Sequence, residues 1–194
     1  MAWAYLSIHA SSIVVILLLG DPKMLSIRTH KEERAKRWDV VLVSLSFLFY
    51  SPLSLLVAGL DYGRFHWSAS LPILIQLSAL LVFALGQAFA SWAMIANKFF
   101  VKFVSIQTER GHHVVTDGPY AYVNHSGYAG TVVLAFIVLP IALSSLWAII
   151  PALVGGSLLV IRTFLEDWFL QKELDGYREY TSCVRWCLLP GIWR

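Results

Sequence analysis

Five long apolar runs dominate this sequence, and no other feature narrows its fold so far. An α-helix rises about 1.5 Å per residue, so crossing about 30 Å of hydrocarbon takes about 20 residues. Runs of that order lie at about residues 3–19, 40–60, 71–96, 127–143 and 146–163. Inside a bilayer every backbone N–H and C=O needs a partner within the protein, which makes helices the expected answer for runs of this length. The expected fold is an all-α integral membrane protein of about five transmembrane helices, forming a single polytopic domain over residues 1–194. With 58% hydrophobic and 14% charged residues and a mean hydropathy of +0.66, the chain lies outside the range of ordinary soluble domains. The first run has no Lys or Arg ahead of it and reads as a retained helix rather than a signal peptide.

The basic residues orient these runs. Lys23, Arg28, Lys31, Arg34, Lys36 and Arg37 crowd the connection after the first run, whereas the next connection, from Asp61 to Ser70, holds only Arg64. Lys98, Lys102 and Arg110 follow the third run, and Arg162, Lys172, Arg178, Arg185 and Arg194 accompany the end of the fifth and the tail. Five crossings put fourteen of the fifteen Lys and Arg residues on one side. That side is expected to be cytoplasmic, with the N-terminus outside and the C-terminus inside. The first basic loop doubles as a contact for anionic lipid headgroups.

Several features inside the runs carry expectations of their own. Ser51-Pro52 interrupts the second run, Ser144-Ser145 makes a tight hairpin of the last two, and Gly155-Gly156 marks a close crossing or a distortion. Gln76, Gln87 and Ser91 fall within about 60° of one another on a helix turning 100° per residue. This polar stripe is expected to join helices, with Gly86 and Ala90 allowing close approach.

Between the third and fourth runs the chemistry changes. The stretch from His112 to Tyr128 holds three histidines, three tyrosines and a Gly118-Pro119 turn, which is expected to bring His112 and His113 back toward Tyr120 and His125. Neutral imidazoles and phenols can hydrogen-bond a nucleoside or stack on its base. Asp117 reads as a turn residue. Arg162 and Glu166 lie one helical turn apart at the end of the fifth run, where ionisable groups beside a membrane span point to function. From Arg162 onward apolar and charged residues alternate at helical spacing. Trp168, Tyr177, Tyr180, Trp186 and Trp193 suit a helix lying along the interface. Cys183 and Cys187 form no disulfide framework, and no His-Glu-x-x-His or paired Cys-x-x-Cys spacing suggests a metal. No Gly-x-Gly-x-x-Gly turn is present either, so a nucleotide-like cofactor would need a site of unrelated design.

These residues resemble the isoprenylcysteine carboxyl methyltransferase family over roughly Gln107 to Tyr180. The resembling parts are His112 to Tyr120, the segment Asn124-His125-Ser126-Gly127-Tyr128, Arg162 with Glu166-Asp167, and the pair Tyr177 and Tyr180. Two departures are plain: Asn124-His125-Ser126 stands where the family carries Arg-His-Pro, and its run of glutamates is reduced to Glu166-Asp167. The resemblance implies a catalytic part at about 107–180 that binds S-adenosylmethionine, with S-adenosylhomocysteine as product and no metal. The cofactor-binding residues it implies are Gln107, His112, His113, Val114, Val115, Tyr120, His125, Ser126, Gly127, Tyr128 and Glu166. Arg162 and Glu166 are the expected catalytic pair, Arg162 gripping the acceptor's carboxylate through its planar fork and Glu166 facing the cofactor's amino group. The implied substrate is a lipid-modified, prenylcysteine-like carboxylate, and the protein is expected to act as a monomer among membrane lipids, without nucleic acid. The alternatives are an NADPH-dependent membrane reductase of the sterol or isoprenoid type, a methyltransferase acting on a phospholipid amine, and a non-enzymatic membrane protein or small transporter.

Overall fold

The computed structural model describes residues 1–23, 36–130, 138–188 and 191. Among them the chain runs through α1 (Ala2–Leu19), α2 (Arg37–Phe65), α3 (Ile73–Ala96), α4 (Val138–Ala142), α5 (Ile149–Glu173) and α6 (Tyr177–Cys183), with shorter helical turns between them. Four of these, α1, α2, α3 and α5, are long and apolar enough to cross a bilayer. Leu17, Leu18, Leu19, Leu74, Leu81, Leu85 and Phe164 are exposed on their outer faces. An apolar surface this continuous suits lipid, since soluble monomers rarely expose patches above a few hundred Å².

The span expected at 127–143 is represented by a helical turn at Ser126–Tyr128 and by α4; residues 131–137 between them lie outside the described residues, as do Arg28, Lys31, Arg34, Trp193 and Arg194. The fifth expected span, 146–163, is the first part of a longer element. α5 runs unbroken to Glu173, so the last span and the helix emerging from it are one piece. Pro52 interrupts α2 without ending it. Proline lacks the N–H for an i→i−4 bond and crowds the preceding turn, and the helix passes it by widening into a π-turn over Phe49–Leu53. Ser144, at φ +58°, turns the chain from α4 toward α5, as the serine pair implied.

Small residues let the helices approach. A Cβ built on Gly155 would lie 2.7 Å from the backbone N of Tyr50 and 2.9 Å from the Ser46 carbonyl, so α5 meets α2 backbone to backbone. The helix stays regular there, which makes Gly155 a crossing point and not a distortion. Gly130 sits likewise against Gly86 and Ala90 of α3. Gln87 does join helices: its Oε1 accepts from the Ser12 hydroxyl of α1 at 3.1 Å. Gln76 instead turns back on its own helix start, donating to the Leu71 carbonyl, and Ser91 donates to the Gln87 carbonyl. Tyr5, Tyr50, Leu80, Phe83, Leu139 and Ala152 form the core where these helices meet.

Two buried aspartates tie the ends of α2. Asp61 accepts from the Ser68 backbone N–H and hydroxyl and from the Ser145 hydroxyl, all at 2.6–2.8 Å. It thereby clasps the α2–α3 connection to the turn before α5. Asp39 lies 22 residues earlier, about 33 Å along the helix. It bonds Arg162 of α5 and the backbone of Val104. Lys98, Lys102, Arg110 and Lys172 are gathered at the Asp39 end, Arg64 at the other, and Arg110 pairs at 3.7 Å with Asp21, just past α1.

Candidate functional site

The segment from Asn97 to His125 leaves α3 and folds over the Asp39 end of the bundle. Its path depends on glycine at two turns: Gly111 and Gly118 have φ of +62° and +59°, a left-handed region that side chains with a Cβ resist. After the second turn Pro119 enters a single 3₁₀ turn, and the Tyr120 N–H returns to the Asp117 carbonyl. Asp117 is thus the turn residue its sequence suggested. The backbone N–H groups of Asn124 and His125 then donate to the carbonyls of Trp186 and Cys187, which draws the tail beneath the segment.

These turns enclose a cavity of about 90 Å³. Of the residues singled out from the sequence, His112, His113, Val114, Val115, Tyr120, His125, Gly127, Tyr128 and Glu166 line it together. Three do not. Gln107 spends its amide on the Phe99 carbonyl and on Arg110, while its backbone N–H donates to His112 Nδ1. Ser126 is fully buried and donates to the Val123 carbonyl. Both shape the wall from behind it.

Arg162 is the third, and its fork is occupied by groups of the protein itself. The side chain is 1% exposed, with Nε on Asp39 Oδ1 at 2.7 Å, Nη2 on Asp39 Oδ2 and the Lys102 carbonyl, and Nη1 on Glu166 Oε2 at 2.8 Å. The guanidinium also lies 4.8 Å from the centre of the Tyr128 ring, a cation–π contact. It therefore sits one layer beneath the cavity, and only Nη1 bonds a group that lines it. The reason is charge balance. An arginine this buried needs partners for its charge and its donors, and Asp39 and Glu166 supply them.

Sequence reasoning missed several members of this site. Asp167 bonds Tyr177 at 3.0 Å, Gln171 at 2.6 Å and His125 Nε2 at 3.3 Å, joining α5 and α6 to the histidine-rich segment. Tyr177 and Tyr180, part of the resemblance and also expected at the membrane interface, are instead buried and line the cavity, and the Tyr180 hydroxyl donates to the Tyr120 carbonyl at 2.6 Å. Burial raises the Tyr177 phenol well above its ordinary value, helped by the charges of Asp167 and Glu166, and burial raises Tyr180 too. Both stay neutral donors. Asn124 lines the cavity with a buried Oδ1 that has no hydrogen-bond partner among the described residues. Asp39 carried a readable signal, an acid just inside an apolar run, whereas Asn124 and Tyr177 carried none beyond their neighbours.

The electrostatics favour a cationic, aromatic ligand. His112 stacks on Phe99 with ring centres 4.5 Å apart, and burial, then the charges of His113 and Arg110, lower its pKa to about 4. It is neutral at physiological pH. Phe99, Phe100, Tyr128, Tyr177 and Tyr180 supply π-faces, and Glu166 supplies a carboxylate at the wall. A Cβ on Gly127 would fall 2.5 Å from the Phe100 ring, so glycine there keeps a cradle open. An unpaired acceptor on Asn124, stacking faces and an acid suit a nucleoside bearing a cationic centre.

No curated protein matches the chain. Residues 78–172, from within α3 to the last turn of α5, match the model of the isoprenylcysteine carboxyl methyltransferase (ICMT) family. That stretch holds the Asn97–His125 segment and Arg162, Glu166 and Asp167, and through it the chain is similar to the isoprenylcysteine carboxyl methyltransferase family of membrane methyltransferases.

Proposed function

We propose that the protein is an S-adenosylmethionine-dependent carboxyl O-methyltransferase acting on a lipid-modified, prenylcysteine-like substrate. The observation that carries this reading is the cavity in which histidine, aromatic and acidic groups converge around Glu166, within the stretch that matches the family. When bound, S-adenosylmethionine supplies a methyl group on a positively charged sulfonium. The chain's own residues do the rest. His112, His113, Val114, Val115, Tyr120, His125, Gly127 and Tyr128 hold the nucleoside and amino-acid parts, Asn124 Oδ1 accepts a hydrogen bond, and Glu166 offsets positive charge.

A terminal carboxylate has a pKa of about 3.3–3.7 and is already ionised at neutral pH, so the acceptor needs no general base. Catalysis is then a matter of position, and holding two reactants at near-attack geometry can supply about 7–11 kcal/mol of the barrier. Arg162 contributes from beneath. Its charge lies one layer behind Tyr128 and Glu166, and Nη1, which bonds Glu166 of the wall, is the nitrogen that would meet a carboxylate oxygen. The acceptor's lipid tail would enter between helices while its carboxylate reaches this end. The basic residues gathered here favour the cytoplasmic side.

Isothermal titration of the detergent-solubilised chain tests the reading. Saturable binding of S-adenosylhomocysteine, weakened about tenfold or more by Glu166→Gln, with no binding of NADPH, is the expected result; tenfold is about 1.4 kcal/mol. Binding of NADPH without S-adenosylhomocysteine would replace methyl transfer with reduction. If S-adenosylhomocysteine binds, turnover of a phospholipid amine but not of a prenylcysteine carboxylate would overturn the acceptor.

A further inference from the structure

The matched stretch begins at residue 78, yet a carboxylate at the site end of the bundle comes from α2. Asp39 is completely buried. Its Oδ1 holds Arg162 Nε at 2.7 Å, and its Oδ2 holds the Val104 backbone N–H at 2.7 Å and approaches Arg162 Nη2 at 3.5 Å. Arg162 in turn bonds Glu166 and the carbonyl of Lys102. Phe99, Phe100, Val101, Phe103, Val104 and Ser105 form one wall of the cavity. One carboxylate thus ties that wall, the arginine beneath the cavity and, through the arginine, the acid facing into it.

We infer that Asp39 is a positioning residue of the site: it fixes the direction in which Arg162 presents Nη1 to Glu166, and it latches the cavity wall at Val104. The inference rests on the cofactor reading proposed above and extends it to a helix outside the matched residues. A guanidinium is planar, so holding its Nε and Nη2 edge fixes where Nη1 points. Without the carboxylate that edge loses its partner, and Glu166 becomes the only acid left to neutralise a buried cation. Glu166 would then be drawn toward Arg162 and away from the cavity. An asparagine keeps one acceptor oxygen, which serves either the Arg162 edge or the Val104 N–H but not both, whereas a leucine keeps none and leaves the wall without its anchor.

Asp61 provides the contrast. It is an equally buried carboxylate on the same helix, but it bonds Ser68 and Ser145 at the opposite end. Loss of a buried aspartate as such would be felt in both places, whereas loss of positioning would be felt at the site alone.

The test compares Asp39→Asn, Asp39→Leu, Asp61→Asn, Glu166→Gln and the double variant Asp39→Asn with Glu166→Gln, in the full detergent-solubilised chain. Titration with S-adenosylhomocysteine is expected to show about tenfold or greater weakening for Asp39→Asn and none for Asp61→Asn. The double variant is expected to lose less than the product of the two single losses, because residues in one hydrogen-bonded network are not additive. Hydrogen exchange is expected to show the Val104 amide opening faster in Asp39→Leu, which carries no acceptor, and not in Asp61→Asn. Unchanged affinity in Asp39→Asn, or multiplicative losses in the double variant, overturns the positioning role. If the unsubstituted chain binds no S-adenosylhomocysteine, the cofactor reading fails by itself. The Val104 amide then decides the latch, and unchanged protection in Asp39→Leu refutes it.

Discussion

Replacing Gly155 by alanine tests the packing on which the site stands. The added Cβ would lie 2.7 Å from Tyr50 N and 2.9 Å from the Ser46 carbonyl, where ordinary contact begins at 3.4 Å. The obstacles are backbone atoms and cannot rotate aside, so α5 must shift from α2 by about 0.7 Å in a dense interior. Overpacking of this kind costs about 1–3 kcal/mol, and the better helix propensity of alanine returns up to about 1 kcal/mol. A net loss of about 1–2 kcal/mol corresponds to a fall in melting temperature of about 2–8 °C for a chain of this size. The shift reaches the site as well. Gly155 and Arg162 are seven residues apart, two turns on one face of α5, and they oppose Ser46 and Asp39, which are spaced alike on α2. Differential scanning fluorimetry in detergent is the assay, with Gly59→Ala as its control, because a Cβ at Gly59 meets nothing within 4 Å. Gly59→Ala is expected to be neutral or slightly stabilising. Equal tolerance of both substitutions would refute the close approach of α5 to α2.

Three further outcomes are expected. Gly127→Ala pushes on the Phe100 ring, which can move only at the cavity's expense, so S-adenosylhomocysteine affinity should fall several-fold in titration while the melting temperature changes little. Arg162→Met leaves Asp39 buried without its ion-pair partner and should cost about 3–5 kcal/mol; adding Asp39→Leu should restore much of the stability but no methyl transfer. His112 has a folded pKa of about 4 against an ordinary 6.5, so its burial favours the neutral form. The stability that neutral His112 contributes is fully present above pH 6.5 and is lost as pH falls toward 4, because the unfolded chain takes up the proton first. Unfolding curves between pH 7 and 4 should show this slope, and His112→Gln should flatten it.

Much of this molecule was written in one dimension. The apolar runs at 3–19, 40–60 and 71–96 correspond to α1, α2 and α3, because a length of about 20 apolar residues and the demand for internal hydrogen bonds are properties of the chain and of lipid alone. The histidine-rich segment was legible for a related reason: polar groups stand out where almost everything else is apolar, and left-handed turns need glycine, as at Gly111 and Gly118. Helix ends were less legible, as α5 shows. Hydrophobicity ends near Thr163, but helical hydrogen bonding continues to Glu173 regardless of what surrounds it.

Tertiary structure alone decided who partners whom. Arg162 and Glu166 were paired by their spacing, since i and i+4 share a helix face. That the arginine faces inward to Asp39, 123 residues away, depends on how α5 lies on α2. The same holds for Asp167 with Tyr177 and His125, and for the unpaired Asn124 Oδ1. Local pattern determines which segments are helical and which faces are apolar, whereas a buried charge takes whichever partner packing brings within reach. Here that partner came from a helix outside the stretch that carries the family's motifs.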